Sequence, residues 1–286
     1  MSQTRRLTQK ELVEREPRCI YCEAKPNSLE HMPPIWIFEA RQRPKGMEFA
    51  TCDDCNNGTR ASDLATGFMA RLRMFHSDTE DPLFKEARAR IDSLDQLLPG
   101  FREEVFDRST QQNLRIVRGG QIHELTRIEA KGPLLASALT TFGAKLGMAF
   151  YRELVGEALP MHGAVFVQPY LNGGLSQAQA DSLMSILPNR ATLRQGRKEV
   201  SGQFAYAANS DDRSIVMTLV SFHQNLHFLL LATAEPETYA PVVERMFVTR
   251  VAPGELLIRR DLHDFVPPIM KQPFILPGLP RPAGDQ

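Results

Sequence analysis

The residue types that could do chemistry in this chain are gathered near its start. They read Cys19-Ile20-Tyr21-Cys22, then Glu30-His31, then Cys52-Asp53-Asp54-Cys55-Asn56, and the four cysteines are all that the 286 residues contain. A C-x-x-C turn aims two thiolates at one ion, and two such turns supply the four sulfurs of a closed tetrahedral zinc site. A disulfide pair or a redox C-x-x-C would use the same residues. No apolar leader precedes the motif, however, which favours reduced thiols in the cytoplasm, and a redox motif needs only one pair. Because four sulfurs leave no open position, zinc on Cys19, Cys22, Cys52 and Cys55 is expected to hold the fold without reacting.

The segment between the pairs carries a second signal. Glu30 and His31 are adjacent, and Pro33 and Pro34 stop the chain from continuing there as a helix. Asn56 follows the last cysteine directly, so the sulfur knuckle fixes its place. A carboxylate, an imidazole and an amide oxygen can together hold a hard divalent cation and activate a water beside it. The plainer alternative is a surface turn on a zinc-braced module that binds nucleic acid or protein.

At these residues the chain resembles the HNH endonucleases of the His-Me finger (ββα-metal) class, in the version braced by two zinc-binding C-x-x-C pairs. The resemblance covers about residues 17–76. It implies that His31 is the general base, that Glu30 is an acidic ligand of a catalytic Mg²⁺ or similar divalent cation, and that Asn56 is a second ligand opening a helix. The implied activity is hydrolysis of nucleic-acid phosphodiester bonds, DNA before RNA, with His31 taking a proton from the attacking water. Two departures stand out. Glu30 occupies a position where Asp is commoner, and residues 32–51 contain no Asn, which in many relatives orients the histidine.

These side chains need elements to position them. Thr8 and Glu11 have capping-box spacing, so a short helix over 8–16 is expected before Pro17. Ile35, Trp36, Ile37 and Phe38 are candidates for a small core, and Arg41, Arg43 and Lys45 form a basic cluster that could meet phosphates. Leu64, Phe68, Leu72 and Phe75 recur at helical spacing, giving the α of a ββα unit. Asp63 in its first turn suits either the helix dipole or a partner of the site. Further on, Gly119-Gly120 predicts a hairpin between Asn113–Val117 and Gln121–Ile128. Pro133 opens a long apolar helix to about Val155. A strand is expected over Gly163–Tyr170 and a capped helix after Ser176. Three strands near Gln203–Ala208, Ser214–Phe222 and Leu226–Thr233 would form an antiparallel meander. His223 and His227 straddle a turn and are not expected to share a metal.

The expected class is therefore α+β: a zinc-braced ββα-metal module over 1–76, an α+β domain with an antiparallel sheet and a long buried helix over 77–266, and a proline-rich tail over 267–286. With 42% hydrophobic residues, 24% charged residues and zero formal net charge, the composition is that of an ordinary globular protein without the basic excess of a dedicated nucleic-acid carrier. No membrane partner is expected, since no uncharged run approaches a membrane span.

Overall fold

The long apolar helix organises the fold. In the computed structural model it runs Pro133–Val155 (α6), with Pro133 in its first turn and Gly156 in the left-handed conformation, φ 97°, just past its end. Proline at the start and glycine beyond the end are the residues that helix termini favour. The structure describes residues 9–72 and 90–258, apart from 42, 108, 110, 119, 128–131, 172–199, 201, 224–225 and 244–248. The helix expected after Ser176, Phe75, the 76/77 boundary and the tail from 267 lie outside the described residues.

Against α6 lies a five-stranded antiparallel sheet of Ala164–Leu171 (β5), Phe204–Ser210 (β6), Ile215–Phe222 (β7), Leu226–Thr233 (β8) and Thr249–Val251 (β9), in the order β6-β7-β8-β5-β9. The meander β6-β7-β8 forms as its alternating apolar segments and polar turns require. The approach of helix to sheet depends on glycine: a Cβ at Gly143 would sit 2.4 Å from Val167 Cγ1, and one at Gly147 2.4 Å from Val165 Cγ1. The neighbouring β5 residues Ala164 and Phe166 point the other way and pack with Val243, the last residue of the helix Pro236–Val243 (α7). Among the described residues α6 is the one helix long and apolar enough to cross a membrane, but 89% of its most apolar window is buried within the protein.

The N-terminal part covers the opposite side of α6. It comprises Gln9–Arg15 (α1), the antiparallel ribbon Ser28–His31 (β1) with Glu48–Thr51 (β2), and the helices Asp53–Gly58 (α2) and Arg60–Arg71 (α3). Ile91–Leu97 (α4) and Phe101–Val105 (α5) follow, and then the hairpin Gln112–Arg118 (β3) and Gln121–Arg127 (β4). Helix α3 packs along α6 and against the turn at Ile35–Ile37, which is why most of its surface is buried, with Phe68 buried and Leu64 partly covered. Trp36 closes on it at Gly67, where an added Cβ would fall 2.3 Å from the indole.

One apolar cluster continues from Cys19, Tyr21, Phe38 and Phe68 through Phe142 and Phe150 to Phe222 and Phe228. Polar links cross the same join. Arg18 donates to the carbonyls of Ala158 and Leu159, Arg152 pairs with Glu16, and His223 Nε2 donates to the Ile37 carbonyl at 2.7 Å. The segment read from sequence as a separate module thus shares its core with the rest of the chain.

Candidate metal centre and active-site strand

The four cysteine sulfurs all lie within 4.8 Å of one another. Cys22 Sγ is 3.6 Å from both Cys52 Sγ and Cys55 Sγ, close to the roughly 3.8 Å edge of a tetrahedron with Zn–S bonds of about 2.3 Å. Cys19, Cys52 and Cys55 are buried, and all four are free thiols. Local folding places them: Cys52 caps α2, its sulfur accepting from Cys55 N, and Thr51 Oγ1 lies 3.3 Å from Cys19 Sγ.

Hydrogen bonding from the Cys55 thiol, helped by Thr51 and backbone N–H groups against the cost of burial, holds Cys19 down at about 4. Burial pushes Cys22 up to about 11, and the bond to Cys19 drives Cys55 well above the ordinary thiol range. Protein dipoles alone therefore favour the thiolate of Cys19 and disfavour those of Cys22 and Cys55, so ionising these together needs a cation among them. The cluster can hold a metal ion such as zinc.

Strand β1 separates the other predicted residues. Alternation sets Ser28 and Glu30 on one side of the ribbon and Leu29 and His31 on the other. Glu30 faces inward and is 4% exposed. Its Oε2 pairs with Lys145 Nζ at 3.1 Å, and its Oε1 accepts from His31 N at 3.1 Å. Lys145, from the middle of α6, is fully buried; it donates to both Asp63 carboxylate oxygens, at 2.8 and 2.7 Å, and lies 5.8 Å from the centroid of the Tyr21 ring.

Burial alone would pull Lys145 down, but Asp63 and Glu30 outweigh it and leave the ammonium above its usual range. Two carboxylates against one ammonium leave a negative charge in excess. Burial accordingly raises Glu30 to about 7 despite Lys145, and it raises Asp63 as well. This geometry differs from the expectation that Glu30 is a cation ligand: its carboxylate is committed to an ammonium in the interior. Asp63, read as either a dipole acid or a site partner, is the principal counter-ion of Lys145.

Asn56 is half-buried on α2, and its Nδ2 donates to Ser28 Oγ at 3.3 Å. That contact lies towards the Ser28 and Glu30 side, so the three residues expected to converge do not share one side of the strand.

His31 has different company. Its ring is one-third exposed, and Nδ1 lies 4.0 Å from Oε1 of Glu48, whose side chain is 11% exposed. Its Nε2 lies 3.4 Å from Arg43 NH2. Glu48 is the direct cross-strand partner of His31, and directly opposed residues project from the same side. Arg43 belongs to the basic cluster noted in the sequence. Its companions Arg41 and Lys45 are exposed.

Sequence reasoning passed over Glu48 and Lys145. Lys145 did leave a trace, as the single charge between Pro133 and Tyr151; a lone charge in an apolar helix interior demands a buried partner. Among the described residues the four cysteines form the one group of three or more His, Cys, Asp or Glu side chains close enough for a metal, and His223 and His227 are engaged by Ile37 and Ser221.

Comparison with protein-family models, with curated proteins and with solved structures finds no match to this chain.

Proposed function

We propose that this protein is a nuclease of the HNH type that hydrolyses nucleic-acid phosphodiester bonds, with DNA before RNA as substrate and His31 as general base. The observation that carries the reading is the setting of His31: a partly exposed imidazole on a sulfur-braced ribbon, between a carboxylate at Nδ1 and a guanidinium at Nε2. A general base needs reach to water, a fixed ring and a lone pair aimed outward. A neutral ring facing an arginine donor on Nε2 keeps its lone pair there. When a substrate phosphate draws Arg43 to itself, that lone pair is left to take the proton of an attacking water. Such a base contributes about 10² to 10⁴-fold.

Zinc on the four cysteines would hold β1 against α2 and has no open position for substrate. The catalytic divalent cation expected on Glu30 and Asn56 does not fit these residues as they stand, since Glu30 is bound to Lys145 and Asn56 to Ser28. Hydrolysis therefore rests on His31, and a divalent-metal series decides whether a cation is also required. That same observation favours a second reading, a non-catalytic zinc-braced module that binds nucleic acid or protein.

The deciding experiment incubates the purified protein and its His31→Ala variant with supercoiled plasmid, linear duplex, single-stranded DNA and RNA. Each substrate is run with Mg²⁺, Mn²⁺ or EDTA. Nicking by the wild type and its loss in His31→Ala at unchanged zinc content supports the nuclease. Equal nicking by the two proteins removes His31 as the base, and binding without nicking by either supports the binding module.

A further inference from the structure

The structure assigns to Glu48 the role of positioning residue for His31, fixing which ring nitrogen carries the proton, while Glu30, its neighbour in sequence, serves the interior. The catalytic consequence rests on the nuclease reading above; the pairing itself does not. Three observations converge on it.

The first is register. His31 and Glu48 are opposed across the β1–β2 ribbon, so the backbone delivers both side chains to one side whatever their rotamers. The second is the hydrogen-bond polarity of the ring. Arg43 can only donate, so at 3.4 Å from Nε2 it requires that nitrogen to be the acceptor. A neutral imidazole has one N–H, which must then be on Nδ1, and Nδ1 faces Glu48 Oε1 at 4.0 Å. That gap exceeds a direct hydrogen bond, and a small side-chain rotation closes it. The third is burial. Glu48 keeps only 11% of its side chain exposed, and the attraction between a carboxylate so withdrawn from water and the N–H it faces is little screened.

Together these give His31 an orienting partner in a segment that holds no asparagine between residues 32 and 51. In the reaction, the proton taken from water arrives at Nε2. The resulting imidazolium then has its second N–H directed at a negative charge. Glu48 takes no proton itself; it fixes the tautomer and stabilises the charged ring.

The test combines a spectroscopic and a kinetic readout on full-length, zinc-loaded wild type, Glu48→Gln and Glu48→Asp. Long-range ¹H–¹⁵N spectra, with the His31 ring assigned by its disappearance in His31→Ala, report the tautomer without any need for activity. The expected pattern, read in an Arg43→Ala background so that no donor at Nε2 fixes the ring, is Nδ1–H with Glu48 in place, a shift toward Nε2–H or a mixture in Glu48→Gln, and recovery in Glu48→Asp. Single-turnover nicking should fall about ten- to a hundredfold in Glu48→Gln, with substrate affinity within about twofold and partial rescue in Glu48→Asp. An unchanged His31 tautomer on adding Glu48→Gln to Arg43→Ala overturns the inference whether or not the wild type cuts. A wild type that does not cut, while the tautomer shifts in that pair, overturns the nuclease reading and leaves the pairing standing.

Discussion

Glu30 and His31 are consecutive residues, yet they live in two different solvents. The inward side of β1 holds Glu30, Lys145 and Asp63 in a dry cluster that joins the ribbon to α6 through contacts of 2.7 to 3.1 Å. The outward side holds His31, Glu48 and Arg43 in a group that reaches solvent mainly through the His31 ring, with separations of 3.4 to 4.0 Å. Tight, desolvated ion pairs fix structure, because removing one member strands the others. A looser group near water can exchange partners with a substrate. One strand thus divides an acid–histidine dipeptide between holding the fold and, on the proposed reading, doing the chemistry.

The comparison breaks most severely at Lys145. Replacing it with Met leaves two carboxylates facing each other in the interior, and the expected loss is about 3 to 5 kcal/mol of unfolding free energy, measured by urea denaturation with zinc held in excess. A cost below about 1 kcal/mol would mean that the inward cluster does not hold the ribbon.

On the outward side the expected effect is kinetic. Arg43→Ala should leave the melting temperature within the usual small range for surface changes. It should weaken substrate binding and reduce the salt dependence of that binding by about one unit of log–log slope, read from affinities between low and moderate salt.

The subtlest test is a slope with pH. Glu30 titrates near 7 in the folded protein against an ordinary 4.5. A raised carboxyl means that the native state holds its proton longer, so this contribution to stability falls as pH rises from about 4.5 to 7 and is flat above. Wild type should lose stability relative to Glu30→Gln over that window. Parallel curves for the two proteins would place Glu30 in a wetter setting than the structure gives it.

Much of this architecture was legible in the sequence. Pro133 and Gly156 bracket α6, the polar turns after β6 and β7 mark the meander, and the two C-x-x-C pairs alone predict the sulfur cluster. The division of β1 was harder to read. Period-two alternation already implied that Glu30 and His31 point apart, but a motif read as a unit suggests that its members converge. What draws Glu30 inward is a lysine 115 positions later, and no local pattern links the two. Glu48 became visible only once the register of the ribbon was known, because a glutamate at the head of a short strand resembles any solvated surface charge. The continuous core has the same origin: a zinc motif suggests an independent cassette, whereas Arg18, Tyr21 and Phe38 meet their partners more than a hundred residues away.

The most direct measurement compares single-turnover plasmid nicking by Glu30→Gln and His31→Gln, both zinc-loaded and assayed well below their melting temperatures. The account predicts that His31→Gln loses at least about a hundredfold in rate with its melting temperature unchanged. Glu30→Gln should change in stability while cutting within a few-fold of wild type. Undiminished cutting by His31→Gln, or an inactive Glu30→Gln of unchanged stability, would contradict it.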